Sequence, residues 1–279
     1  MSGNCNFPLS VLSFVKSNIL ELDEKIYKQT GHCVKPGKCT KSVASSAKSP
    51  GSKYDLQKQF SKILTGKNTM NRTNYSIRTE TKADFFEVEN LTREAFWNVY
   101  KPGCEEHFVL HCYRKNPDFI PELSLVLKLD KKIIGHIMYS RSHIDSNDGT
   151  QISVMTFGPI SIHPDFKRKG FGKILLDYSM EKAKKLGGKC LLICGNIDFY
   201  GKSGFVPAIT FGIRYADDAE SDAPYFLCKE LETGFLHGIT GSYKDPEGYF
   251  VAQKNPIAFE EYEKQFPPKE KLRLPGQIF

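Results

Sequence analysis

The stretch from Gln151 to Cys194 constrains this chain more than any other. A strand pattern runs to Ile162 and stops at Pro164, and a basic, glycine-bearing turn follows. A helix pattern then extends from Gly170 to Leu186, and Gly187-Gly188 leads into the apolar strand KCLLIC. Glycine suits the left-handed position that closes a helix. A short, wholly apolar strand suits the centre of a sheet covered on both faces. Strand, helix and buried strand in succession point to a layered α/β (α+β) domain.

The turn between Pro164 and the helix carries chemistry. The first N–H groups of a helix lack internal acceptors, and the helix dipole places about half a positive charge beside them. An anion is the natural ligand of such a place. Gly170 and Gly172 have no side chains where a bulky phosphate would approach the backbone, with Phe171 between them, and Lys167, Arg168, Lys169 and Lys173 supply positive charge around it. A pyrophosphate held mainly by main-chain donors is expected; the plainer alternative is a solvated basic helix start. Two other phosphate loops are excluded, because G-x-x-x-x-G-K-[ST] is absent and G-x-G-x-x-G fails at Leu175.

Regular strand and helix signals begin at Tyr75. YSIRTE reads as a strand, and Asp84 as the cap of a helix carrying Phe85, Val88, Leu91, Ala95 and Val99. A second helix is expected over Glu105–Arg114, then a hairpin turning at Asp130-Lys131-Lys132, a turn at 146–149 and a strand over Gln151–Ile162. Further strands are expected around Phe205–Ile213 and Tyr225–Leu231. We therefore divide the chain into a basic extension (1–69), a central domain (74–232) and a C-terminal extension (233–279), the last expected to border the acceptor site. Within the first part, residues 30–53 are rich in Ser, Lys, Gly and Pro and read as a linker between two short helices. The Leu12–Ile26 stripe on the first helix could pair two copies as a homodimer or pack on its own domain.

Charge locates the basic character. Residues 1–69 hold eleven lysines against four acids, which is the whole +7 excess, so the remainder is neutral. This argues against a basic-groove nucleic-acid binder. No apolar run approaches the ~20 residues of a membrane span, and no signal-peptide pattern opens the chain. Eight scattered cysteines suit reduced thiols in the cytoplasm. Cys33 and Cys39, with His32 and Cys5, could hold zinc, but the spacing is wider than usual and no metal is expected.

Ile162-His163-Pro164 followed by Lys167-Arg168-Lys169-Gly170-Phe171-Gly172, and then Tyr200-Gly201-Lys202-Ser203-Gly204-Phe205, resembles the GNAT superfamily of N-acetyltransferases, whose signatures are V-x-P, [QR]-x-x-G-x-[GA] and Y-x-x-x-G-F. The resemblance covers about Tyr75 to Leu231 and is closest to a bacterial-type subgroup with G-N/D-x-x-Y/F-Y-x-x-x-G-F, here from Gly195. Lys167 departs from the usual Gln or Arg. Asn196 lies four residues before the tyrosine, where other members place an Asn about seven before it.

The resemblance implies a mixed central sheet splayed in its middle, with helices on both faces. It implies acetyl-CoA as co-substrate, its pyrophosphate on the loop and its pantetheine bonded near Ile160, Ile162 and Asn196. The reaction would be direct attack by a small-molecule or peptide amine in a ternary complex, with Tyr200 as general acid for the departing thiolate. An alkylamine with pKa ~10.4 is less than about 0.1% neutral at pH 7, so a proton acceptor is needed as well. Glu94, Glu105, Glu106, His107 and His136 are candidates that no pattern separates. A binding module that senses acyl-CoA without turnover is the alternative reading.

Overall fold

The computed structural model describes residues 75–277. The expected N-terminal helices, the linker and the Cys5, His32, Cys33 and Cys39 grouping lie outside the described residues. The elements are β1 (Tyr75–Thr79), α1 (Phe85–Phe96), α2 (Glu106–Tyr113), β2 (Leu125–Leu129), β3 (Lys132–Ser146), β4 (Gln151–Ile162), α3 (Phe171–Lys185), β5 (Cys190–Cys194), α4 (Ile197–Tyr200), β6 (Val206–Pro207), β7 (Ile213–Tyr215), β8 (Phe226–Glu230), β9 (Gly241–Tyr243), α5 (Val251–Lys254) and α6 (Pro256–Glu263).

The strands form one mixed sheet in the order β1-β2-β3-β4-β5-β8-β6, with β9 beside β3 and β7. Neighbours are antiparallel except β4 with β5 and β7 with β9. β2 explains why both faces are covered. Leu125 and Leu127 point into a core shared with Leu175, Leu176 and Ala183 of α3, while Val126 points the other way, onto Val88 and Leu91 of α1 and Leu110 of α2. Successive strand residues face opposite sides, so a strand apolar at every position needs a layer on each. β5 follows the same logic, with Leu191 and Ile193 on the α3 face and Cys190 and Leu192 on the other.

β4 and β5 run parallel but pair only at Met155 and Leu191. Beyond Met155, β4 continues to Ile162 against β3 alone, so the sheet opens on its β5 side. Within that stretch Ile137 opposes Ile160 while Tyr139 opposes Phe157, which leaves Gly158 and Pro159 facing one residue of β3. Such a bulge bends a strand and re-aims its groups.

Several local expectations change. Asp84 does not cap α1 directly, because a 3-10 turn over Lys82–Asp84 starts the helical path earlier. Its carboxylate instead accepts bonds of 2.7 Å from the Thr81 amide, the Thr81 hydroxyl and both terminal nitrogens of Arg78, fastening the turn to β1. α1 stops before Val99. Trp97 leaves helical geometry at ψ 121°, and the Asn98 side chain accepts from the Gly103 amide at 2.8 Å to close the following loop. The 205–213 strand is two short strands around a 3-10 turn, since Pro207 lacks a donor and Gly212 turns left-handed at φ 74°.

Residues from 233 onward are built into the same body. β9 extends the sheet, and Ala252, Tyr262 and Phe266 bury against Phe108 of α2. Glu263 accepts from Arg93 Nε at 2.8 Å and lies 2.7 Å from His107 Nε2. Among the described residues no helix is long and apolar enough to cross a membrane, and Cys104, Cys112, Cys190, Cys194 and Cys228 are free.

Candidate functional site

The turn before α3 presents its backbone outward. Arg168 and Gly170 both have positive φ, 61° and 86°, and the first bond of helical type runs from the Ile174 amide to the Gly170 carbonyl at 3.1 Å. The amides before Ile174 therefore form the open end of α3. A methyl placed on Gly170 would meet nothing within 4 Å, so glycine is required there by backbone conformation and leaves open space. Gly172 lies closer in, its added methyl 3.4 Å from Phe199 and 3.7 Å from Ile162.

The four cations of the turn divide. Lys167 donates from Nζ to the Ala95 carbonyl at 2.7 Å, tying the turn to α1. Lys173 is bonded to Asp177 one helical turn on. Lys169 lies over the Phe166 ring at 5.3 Å, and Arg168 is exposed. Phe171 is a core residue beside Tyr75 and Phe166, so it contributes only its backbone to the turn. Ile160 and Ile162 pack their side chains on the α3 core, and their main chain belongs to the part of β4 that has parted from β5.

Tyr200 ends α4, across the split from β4. Its ring lies 5.9 Å from Phe157 of β4 and 5.6 Å from Phe205. Gly195 makes this placement possible: a methyl there would stand 2.3 Å from Cε2 of the Tyr200 ring. The Tyr200 side chain is half-buried. That burial, with Tyr100 nearby, pushes the phenol well above its ordinary pKa, so it stays protonated through the neutral range. Asn196 starts α4, its side-chain oxygen accepting from the Asp198 amide at 2.7 Å, which commits that side chain to the turn.

The proton-acceptor candidates have different fates. His107 is buried against Glu263. His136 is fully buried beside Ser124, 3.0 Å from its hydroxyl, and burial lowers it to about 4, against the nearby Glu80. Glu94 is bonded to Lys269, and Glu105 to Lys101. Glu106 lies near Tyr100, its carboxyl raised to about 6 by burial.

A second acid in an unusual setting carries no signature in the sequence. Asp245 follows β9, is 7% exposed, and accepts hydrogen bonds from Tyr215 at 2.6 Å and Tyr243 at 3.3 Å. Burial raises it to about 6, with Asp217 adding to the rise and the two phenols opposing it. It is one acid in a Gly-, Tyr- and Lys-rich stretch without a motif, so only the fold identifies it.

A sequence profile of the acetyltransferase (GNAT) family matches residues 85–205. The Escherichia coli K12 protein named uncharacterized N-acetyltransferase YjhQ is 24% identical over 110 residues, which is 39% of this chain and 56% of that relative, so the chain spans about half its length. The structure of the GNAT family N-acetyltransferase YhbS from Escherichia coli, in complex with CoA, aligns with a TM-score of 0.56 at 19% identity, over 65% of this chain and 95% of its own. A GNAT family acetyltransferase from Brucella melitensis, in complex with acetyl-CoA, aligns with a TM-score of 0.51 at 21% identity, over 63% and 99% of the two chains. At these identities the two structures speak for the fold. The profile match from α1 to Phe205 makes residues 85–205 similar to the GNAT acetyltransferase family, and the two structures share that region's fold.

Proposed function

We propose that this protein transfers an acetyl group from acetyl-CoA to a primary amine by direct attack in a ternary complex. The observation that carries this reading is the parting of β4 from β5 beyond Met155, with the open end of α3 at one side of the split and Tyr200 across it. A coenzyme whose pyrophosphate rests on the amides of Gly170 to Lys173 would run its pantetheine along Ile160 and Ile162 and bring the thioester toward Tyr200. Arg168 and Lys169 are the cations left to meet phosphate. Because Lys167 is engaged with Ala95 and Asn196 with its own turn, we assign both to shaping the site.

The chemistry follows from placement. The amine nitrogen adds to the thioester carbonyl, the C–S bond breaks, and the thiolate takes a proton from the Tyr200 phenol. A well-placed general acid accelerates such a step by ~10²–10⁴-fold. The acceptor is an amine of small-molecule or peptide type, and the five free thiols among the described residues suit a reducing, cytoplasmic setting.

Calorimetric titration of the full chain with acetyl-CoA, followed by thiol release over a panel of primary amines, tests this reading. Saturable coenzyme binding with amine-dependent thiol release supports it. Coenzyme binding without thiol release from any amine would favour the sensor alternative, and no binding would overturn both.

A further inference from the structure

The two faces of the split differ in chemistry. On the α3 face, Phe157 packs with Tyr139, Phe205 and Tyr200. The preceding residue, Thr156, points to the opposite face, where it is buried beside Tyr243 and Tyr249. The Tyr249 hydroxyl reaches the bulge itself, 3.9 Å from where a methyl on Gly158 would be, and it makes no geometrically sound hydrogen bond to a described residue. Behind it stands Asp245, held by Tyr215 and Tyr243 and close to Cys194 at the end of β5. Residues 156–158 of β4, just beyond the last pairing with β5, thus have Tyr200 beside Phe157 on one face and, on the other, Tyr243 and Tyr249 with Asp245 behind them.

We propose that Asp245 is the proton acceptor of this site, taking a proton from the incoming ammonium on the face of the split opposite Tyr200. The assignment rests on the acetyl-transfer reading and adds to it the group that makes the amine nucleophilic. The atoms balance as follows. The Asp245 carboxylate takes one proton from the ammonium, and the neutral nitrogen adds to the thioester carbonyl. The C–S bond breaks and sulfur takes the Tyr200 proton. The second proton on the new amide nitrogen returns to the Tyr200 oxygen through solvent, and Asp245 releases its proton to water, so one proton leaves per turnover.

The surroundings suit that task. The groups facing Asp245 are Tyr215 on β7, Tyr243 on β9, Asp217 on the turn after β7, Cys194 on β5, Tyr113 on α2 and Tyr249 before α5. None is a cation, so no fixed partner neutralises the carboxylate, and an entering ammonium would be its counter-charge. Two phenol bonds keep it ionised at neutral pH despite burial. An ammonium drawn into the same enclosed place loses solvation and releases its proton more easily.

The experiment uses the full chain, acetyl-CoA and the best amine of the panel, with kcat/KM measured from pH 5 to 9. Wild type should show an acid limb near pH 6. D245N should keep its coenzyme Kd within about threefold, lose about 100-fold in kcat/KM at pH 7, and lose the acid limb. Its deficit should narrow toward pH 9, where more amine is already neutral. D245E should recover part of the activity. E106Q, which removes the other raised acid, should keep the limb. If D245N proves unstable, Y243F and Y215F decide: each removes a donor to the carboxylate, so the acid limb should move to higher pH. A limb that persists in D245N, disappears in E106Q, or stays put in both tyrosine variants overturns the assignment while leaving acetyl transfer standing. A wild type that binds coenzyme but turns over no amine overturns the assignment together with the reading it rests on.

Discussion

Lys167 gives its ammonium to the carbonyl of Ala95, 2.7 Å away in α1. The first cation of the turn therefore braces it from behind, and in the proposed reading phosphate is left to the backbone amides. Lys167→Gln, which keeps a donor for that carbonyl, should change the acetyl-CoA Kd only a few-fold. Gly170→Val should weaken binding well over tenfold, because φ of 86° is costly for a branched residue and the side chain would enter the space a phosphate needs. Calorimetry on both variants checks the contrast, and equal damage would mean that the lysine charge carries the binding.

Gly195→Ala tests the seat of Tyr200 without altering the tyrosine. The added methyl would overlap the ring at 2.3 Å, so the ring must turn away. Stability should fall by roughly 1–3 kcal/mol, and kcat should fall at least tenfold with coenzyme affinity nearly intact. Full activity in the alanine variant would show that the orientation of Tyr200 is immaterial.

Tyr200→Phe keeps the packing against Phe157 and Phe205 and removes the proposed proton donor. The expected result is a kcat lower by about 10–100-fold, because a thiolate is a tolerable leaving group even without protonation. Since burial keeps the phenol protonated, the deficit should persist to pH 9 and be largest there, where the amine needs least help. Measuring kcat and coenzyme Kd across pH 6–9 distinguishes lost chemistry from lost binding.

His136 should make the fold acid-sensitive. Its folded pKa, about 4, lies below the ordinary value of 6.5, so the neutral ring is the form the fold accepts. Its contribution is fully present above pH 6.5 and is lost as pH falls toward 4, by up to roughly 3 kcal/mol. Urea unfolding of wild type should lose stability over that window. His136→Asn should be less stable at pH 7 yet show a flatter slope; an unchanged slope would place the acid sensitivity elsewhere.

A fragment of residues 74–279 should fold and bind acetyl-CoA as tightly as the full chain, because the proposed coenzyme-binding residues all lie between Ile160 and Tyr200. An insoluble fragment, or one with tenfold weaker binding, would assign a structural or binding role to residues 1–69.

The turn before α3 and the position of Tyr200 were legible because their signals are local. Pro164, the glycines and the long helix pattern lie in one continuous stretch, and Tyr200 is placed by the short turn that follows β5. The rest depends on long-range assembly. Nothing near Asp84 announces that Arg78 will claim it, and nothing in the stretch around Asp245 tells that Tyr215 and Tyr243 will close over it. β9 is too short to declare itself as a strand, and it exists because β3 and β7 offer it edges.

The ion contacts of Glu263 have a consequence for synthesis of the protein. Arg93 is 1% exposed, and its partner is made 170 residues later. A nascent chain can lay down α1, α2 and most of the sheet, yet until the last turn of α6 is made Arg93 has only the 4.0 Å approach of Glu94 in place of the close Glu263 pair. Removing one partner of a buried pair costs ~3–5 kcal/mol. A message truncated after residue 232 would also leave Phe108 and the β9-facing edge of β3 uncovered. Its product should be an aggregation-prone substrate for chaperones and proteases, so that only polypeptides extending past Glu263 accumulate.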